Sequence, residues 1–265
     1  MSEAEMSRKV SMSEAEISRK VSMSEAGISR AASMSEAGIR KITSGRDAVI
    51  VSGGNVDQAL LKDFLRDLDH PFIIAADRGL AALRSIEVYP DHMIGDYDSS
   101  DQETYEYAKS IHDKMGIALT KLNPIKDDTD TEAALSLALS ETDGRIYIFG
   151  GTGSRLDHVI ANIAILVRAL EEGREAMLLD SNNRIRLVDR DHAVRIRRED
   201  AFGDYLSIFP YGMEARGVTA TGVFYPLLDV TLRGNSSLGT SNEIIEEFAD
   251  ISVKEGILIL IESKD

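Results

Sequence analysis

Two groups of aspartates sit where short apolar runs give way to helix-like stretches. They are Gly95-Asp96-Tyr97-Asp98-Ser99 and Lys126-Asp127-Asp128-Thr129-Asp130. Five carboxylates gathered in one place repel one another, and each repulsion disfavours the charged form. A divalent cation among them reverses the sign of that interaction. An all-oxygen donor set suits Mg²⁺, which keeps several waters and shares its shell with substrate phosphates. The pattern therefore implies nucleotide chemistry.

The elements around these aspartates alternate. Ala48–Val51, Phe72–Ala76, Met93–Gly95, Arg145–Phe149 and Met177–Leu179 are apolar runs of strand length. Between them, residues 57–68, 101–115, 130–140 and 156–172 carry apolar residues at helical spacing, and a short helix is expected from Gly79. Strands that are apolar throughout, alternating with helices, predict an α/β fold: a parallel sheet covered on both faces, three layers deep. After Asp180 the helical spacing stops. Residues 184–188, 193–198, 205–209, 213–220, 228–233 and 251–262 read as β segments, with turn signals at Pro210-Tyr211-Gly212, Arg233-Gly234-Asn235 and Glu255-Gly256. They predict an all-β sandwich or barrel-like C-terminal domain. The expected domains are residues 1–44, 45–180 and 181–265.

Ligands of an open parallel sheet bind outside the carboxyl ends of its strands. Asp77, Asp96, Asp98 and the Asp127–Asp130 group all follow strand-like runs, as does Gly150-Gly151-Thr152-Gly153-Ser154-Arg155. The glycines Gly150, Gly151 and Gly153 permit close backbone approach, and the helix start behind them favours an anion. Arg155 offers a planar fork of donors for phosphate oxygens, and Lys126 a point charge. Asp96, Asp98 and Asp130 are the expected Mg²⁺ ligands, with Asp128 a solvated residue. Asp57, Asp101 and Asp143 are expected to be helix caps rather than to bind anything. No Walker string or dinucleotide fingerprint occurs.

Bulk properties narrow the classes. The net charge is −15, and it belongs to residues 45–265, since the first 44 residues hold a slight positive excess. A body so acidic does not suit nucleic-acid phosphates or anionic membranes. There is no cysteine, which removes disulfides, thiolate catalysis and Cys-ligated zinc. No apolar run is long enough to span a bilayer, and no signal-peptide core is apparent, so a cytoplasmic protein is expected.

Residues 1–44 are four copies of an 11-residue unit, opening at Met1, Met12, Met23 and Met34. Eleven residues make about three helical turns. The apolar stripe is thin and Ser-rich, which predicts a helical or disordered arm more than a coiled coil.

Five motifs in order extend this picture: Ala76-Asp77-Arg78-Gly79, the two aspartate groups, Gly150 through His158, and Gly239-Thr240-Ser241-Asn242. Together they resemble the thiamine pyrophosphokinases, over about residues 47–262. The resemblance implies a homodimer that moves the terminal diphosphate of ATP to the hydroxyl of thiamine, leaving AMP. It places Asp77, Asp96, Asp98 and Asp130 at the Mg²⁺–ATP centre, with Lys126, Asp127 and Arg155 on the phosphates. Asp157 would lie near thiamine, with Ser241 and Asn242 lining its pocket. Where some family members hold a tryptophan against thiamine, this chain has Tyr225; stacking and ordinary core packing are both open there. Tyr97 stands where the family often has Phe. A hydroxymethylpterin diphosphokinase and a non-catalytic nucleotide- or thiamine-binding regulator are the rival functions.

Overall fold

A computed structural model describes residues 45–97, 102–123, 128–153 and 155–265. The repeats of residues 1–44 and the predicted site residues Asp98, Lys126 and Asp127 lie outside the described residues.

Among the described residues, nine strands form one sheet. In chain order its first six are β1 (Ala48–Val51), β2 (Phe72–Ala76), β3 (His92–Gly95), β4 (Ala118–Lys121), β5 (Ile146–Phe149) and β6 (Ala176–Leu179). They pair in parallel in the spatial order β4-β3-β2-β1-β5-β6. Between them run α1 (Gln58–Asp67), α2 (Gly79–Ser85), α3 (Gln102–Met115), α4 (Asp130–Glu141) and α5 (Leu156–Glu171). β1 and β5 are buried along their whole length because helices cover both faces. Ile50, Ile74 and Ile148 pack against Ala134, Leu135 and Leu166 of α4 and α5. Their alternates Val49, Val51 and Phe149 pack against Leu61, Leu80, Leu83 and Ile111 of α1–α3. The strand pleat, with its period of two, divides one run of apolar residues between two cores.

Two helix starts, those of α1 and α4, follow local side-chain chemistry. Asp57 accepts from the amides of Ala59 and Leu60, both at 3.0 Å, so it caps α1 as its position predicted. Thr129 caps α4 by accepting from the Glu132 amide at 3.2 Å. Asp143 accepts from the Arg46 amide at 3.0 Å and pins the turn before β5.

The sheet does not stop at residue 180. β7 (Asn183–Val188) pairs antiparallel with β6, and β13 (Leu258–Ser263) and β9 (Tyr205–Pro210) continue outward from it. A second sheet holds β11 (Leu227–Arg233), β10 (Glu214–Thr221), β12 (Phe248–Ser252) and β8 (Val194–Arg197) in that order. Val188, Leu206, Ile208 and Leu260 of the first sheet meet Ile196, Val218, Leu232 and Ile251 of the second in a separate core. The chain is thus a mainly parallel α/β domain followed by a β-rich C-terminal domain, joined through one shared sheet. The run 251–262, read as a β segment with a turn signal at Glu255-Gly256, is the end of β12 and most of β13. Lys254 to Gly256 turn between them, with the Lys254 and Glu255 amides both donating to Arg216 O at 3.1 Å.

A buried ion network ties β13 to its neighbours. Glu262 is 1% exposed. It receives Arg184 Nε at 2.8 Å, an Arg184 terminal nitrogen at 2.5 Å, Arg186 at 2.7 Å and the Phe202 amide at 3.2 Å. Arg186 also reaches Glu175 at 3.0 Å, and Glu175 in turn accepts from Arg145 at 3.0 Å.

Candidate functional site

The chain runs outward from β1 through β2, β3 and β4, then returns to place β5 on the other side of β1. Strand order therefore reverses at β1, and the crevice beyond its carboxyl end is the expected ligand position. Ser52, Gly53 and Gly54 occupy that end. Ser52 is 2% exposed, and its hydroxyl pairs with that of Thr131, on the first turn of α4, at 2.9 Å. A Cβ on Gly53 would stand 3.5 Å from an Asp77 carboxylate oxygen, and one on Gly54 would overlap Gly150 O at 2.4 Å. The Gly54 amide donates to that same carbonyl at 3.1 Å. This short loop is therefore what brings the aspartates and the glycine turn together. No site role was expected of it; the double glycine closing a buried strand was the available signal.

Asp77 follows β2 in the left-handed region, at φ +49°, a conformation Asp tolerates better than most residues. Its amide donates to Ile94 O of β3 at 2.9 Å. Asp96 follows β3, and Asp130 opens α4. One oxygen from each of Asp77, Asp96 and Asp130 lies within 4.8 Å of the others, all three half-buried. Burial pushes the Asp77 carboxyl above the ordinary range; the Arg78 amide opposes this, and the charges of Asp130 and Asp96 push it further up. Unrelieved repulsion among converging oxygens is the environment a divalent cation neutralises, so the donor set fits Mg²⁺. Asp77 enters the cluster as a full member. Asp128 is exposed, as expected of a solvated residue.

The glycine turn adjoins this cluster. Gly150 has φ +68°, and a Cβ there would strike Ser52 O at 2.4 Å. Gly151 O accepts from the side-chain NH₂ of the buried Asn162 at 2.7 Å, tying the turn to α5. Thr152 donates to Asp180 at 2.5 Å. Behind Gly153, Arg155 and Asp157 form a two-pronged pair at 3.2 and 2.6 Å. The Arg155 guanidinium holds the exposed Asp157 carboxyl down at about 2. In this state the Arg155 fork is engaged by its neighbour.

The C-terminal motif builds a separate cavity of about 210 Å³, lined by Tyr225, Leu227, Ser237, Leu238, Gly239, Thr240 and Asn242. Asn242 is 2% exposed. Its carbonyl oxygen accepts from the amides of Tyr225 and Glu243 at 2.9 and 3.0 Å, and its NH₂ donates to Tyr225 O at 2.8 Å. Asn242 thus carries the backbone that presents Tyr225. Ser241 sits beside it at φ +51°, its amide donating to the Ser207 hydroxyl at 3.0 Å. Tyr225 is 64% exposed and packs edge-on against Phe224, with centroids 4.8 Å apart. Core packing is therefore not what holds Tyr225. Among the described residues, none lines both this cavity and the carboxylate cluster.

Residues 68–178 match the family model described as thiamin pyrophosphokinase, catalytic domain. Residues 191–258 match that described as thiamin pyrophosphokinase, vitamin B1 binding domain. The chain belongs to the thiamin pyrophosphokinase family. A thiamine pyrophosphokinase of Bacillus subtilis (strain 168) is 32% identical over 224 residues, which cover 82% of this chain and 98% of the relative. The crystal structure of thiamine pyrophosphokinase from Bacillus subtilis superposes with a TM-score of 0.72 at 28% identity, over 83% of this chain and all of that one. Yeast thiamin pyrophosphokinase superposes at 0.68 with 14% identity, over 86% and 88% of the two chains, which shows a shared fold. The catalytic-domain match spans Asp77, Asp96, Asp130 and the glycine turn. The vitamin B1 match spans Tyr225 and Asn242. Ser52 to Gly54 lie ahead of both family-model matches, and the geometry marks that loop.

Proposed function

We propose that this family member transfers the terminal diphosphate of ATP to the hydroxyl of thiamine, releasing AMP. The observation that carries the reading is the convergence of Asp77, Asp96 and Asp130 beside the Gly150–Gly153 turn, at the reversal of strand order. Those three carboxylates are the residues that would hold Mg²⁺. When bound, the ion neutralises phosphate charge and fixes phosphate geometry. The rest falls to the chain. The turn brings backbone within reach of phosphates, and the start of α5 favours their charge. Arg155, exchanging Asp157 for phosphate oxygens, would stabilise the negative charge of the transition state. Asp98, Lys126 and Asp127 belong to the same centre by their place in the motifs. Such transfer depends mainly on positioning and charge, with little covalent work for side chains.

Thiamine is assigned to the β-rich domain. Tyr225 offers an exposed aromatic face to its cationic ring, and Asn242, next to Ser241, fixes that face. Asn242→Ala would leave two amides and one carbonyl without their partners. We expect the KM for thiamine to rise about tenfold or more, equivalent to roughly 1.4 kcal/mol, with the KM for ATP within about twofold of the parent. Equal rises in both constants would remove Asn242 from the thiamine side.

We assign a homodimer as the working form. Leu156 and Ile160, one turn apart on α5, are 73% and 69% exposed, which suits an interface better than solvated helix. No described helix is long and apolar enough to cross a membrane, and we place the enzyme in the cytoplasm. The deciding experiment is AMP production by the full chain with ATP, omitting thiamine or Mg²⁺ in turn. Production that requires both supports the proposal. Turnover with a hydroxymethylpterin but not with thiamine would replace it.

A further inference from the structure

Asp180 closes β6, and its carboxylate is the meeting point of two turns. Oδ1 accepts from the amides of Asn182 and Asn183, both at 2.7 Å, and the Asp180 amide donates to Asn183 O at 3.0 Å. These bonds build the reversal that carries the chain from β6 into β7 and on to the β-rich domain. Asn182 joins the same reversal to Lys264, beyond β13: its side chain donates to Lys264 O at 3.1 Å and its carbonyl accepts from the Lys264 amide at 3.0 Å. Oδ2 of Asp180 accepts from the Asn183 side chain at 3.2 Å and, at 2.5 Å, from the Thr152 hydroxyl.

Thr152 belongs to the glycine turn, and the residues before it are held as well. Gly150 O accepts from the Gly54 amide at 3.1 Å, and Gly151 O from the Asn162 side chain at 2.7 Å. A Cβ on Gly151 would meet Leu178 Cδ2 of β6 at 2.7 Å, so the turn lies against that strand. Three successive residues are thus fixed from three places: the loop after β1, α5 and the end of β6. The amides of Gly151, Thr152 and Gly153 meet no acceptor among the described residues. Successive free backbone N–H groups are what an anion requires, and they bind best when held in place before the ligand arrives. Thr152 is the one residue between Gly150 and Gly153 with a side chain able to carry a tether. Its proton goes to Asp180, so the hydroxyl serves the shape of the turn rather than donating to a ligand.

We infer that Asp180 is a positioning residue for the phosphate turn: through the Thr152 hydroxyl it locks Gly151 to Gly153 in the anion-binding shape, and it ties that shape to the β6–β7 reversal. The inference rests on the phosphate role proposed above for this turn. Without the tether the turn samples other shapes, and apparent affinity falls in proportion to the share of molecules that keep the competent one.

The test measures dissociation constants of the full chain by calorimetry, for ATP with Mg²⁺ and separately for thiamine. Thr152→Val keeps the shape of the side chain and removes only the hydroxyl. Its ATP constant should rise about tenfold, as when the competent shape falls to a tenth of the population, with the thiamine constant within about twofold of the parent. Thr152→Ser, which keeps the hydroxyl, should bind ATP as the parent does. Asp180→Ser can still accept from the Asn182 and Asn183 amides but is too short to reach Thr152; it should match Thr152→Val, and the double variant should be no worse than either. An ATP constant within twofold of the parent in Thr152→Val overturns the inference, as do equal rises for ATP and thiamine, which mark a purely structural hydroxyl. A full effect of Thr152→Val with none of Asp180→Ser also overturns it, because Thr152 then acts on the ligand directly. If Arg155→Ala weakens ATP and Thr152→Val does not, only the tether fails. If the parent binds no ATP, the phosphate role of the turn fails and the inference with it. Binding that follows the expected pattern without AMP release on adding thiamine keeps the tether and removes the proposed reaction.

Discussion

Asp130→Asn should lower thiamine-dependent AMP release about a thousandfold while the protein stays folded. The substitution is nearly isosteric and removes one charge from three converging oxygens. A metal site contributes several kcal/mol to charge stabilisation in the transition state, and each 1.36 kcal/mol is a decade in rate. Stability should hardly change. Thr129 still caps α4. Losing an acid from the first helical turn costs about 0.3–1 kcal/mol. Against that, the Asp77 carboxyl is relieved of a neighbouring charge that pushes it up, so its own value should move down toward the ordinary range. Steady-state AMP release and the metal-free Tm, measured on the same preparation, check both halves. Activity within tenfold of the parent would take Asp130 out of the metal site.

Glu262→Gln should destabilise the protein by about 3–5 kcal/mol, the usual cost of removing one partner from a buried ion pair. Glu262 is 1% exposed and is bonded by both Arg184 and Arg186. A neutral amide leaves both arginines poorly compensated, and its NH₂ points a donor at donors. The strand ladder β7-β13-β9 should loosen first, and with it the frame of the β-rich core. The pH dependence follows from the direction of the shift. Burial drives the Glu262 carboxyl up, but Arg184, Arg186 and the Phe202 amide outweigh it and leave the net value below the ordinary 4.5. A depressed carboxyl contributes stability that is whole above about pH 4.5 and is lost as pH falls through the folded value. The parent should therefore lose stability below that pH more steeply than Glu262→Gln. Denaturant unfolding from pH 7 to 3 tests this. A difference under about 1 kcal/mol at neutral pH, or parallel curves, would show that the network contributes little.

Much of the α/β half was legible along the chain. Its strands are apolar on both faces, its helices have a clear period, and caps such as Asp57 act within three residues of themselves. The positions of Asp96 and Asp130 at strand and helix ends were legible for the same reason. Tyr225 was not: an aromatic between Phe224 and Pro226 reads equally as core or surface, and only its 64% exposure separates the two. The pairing of Arg155 with Asp157 was equally hidden, since both were read toward ligands rather than toward each other.

By itself the sequence determined the order and type of the elements, the absence of thiol chemistry, and the residues competent to bind a cation. Tertiary structure alone decided which of them meet. It brought Asp77 beside Asp96 by parallel pairing of β2 with β3, and it set Asp130 against both through α4. It also placed β12 and β13, joined by the Lys254–Gly256 turn, in different sheets. The reason is physical. Caps and periodicity are settled by neighbours a few residues away, whereas strand partners, burial of Glu262 and convergence of carboxylates depend on contacts that close long loops and exist only once the whole sheet has formed.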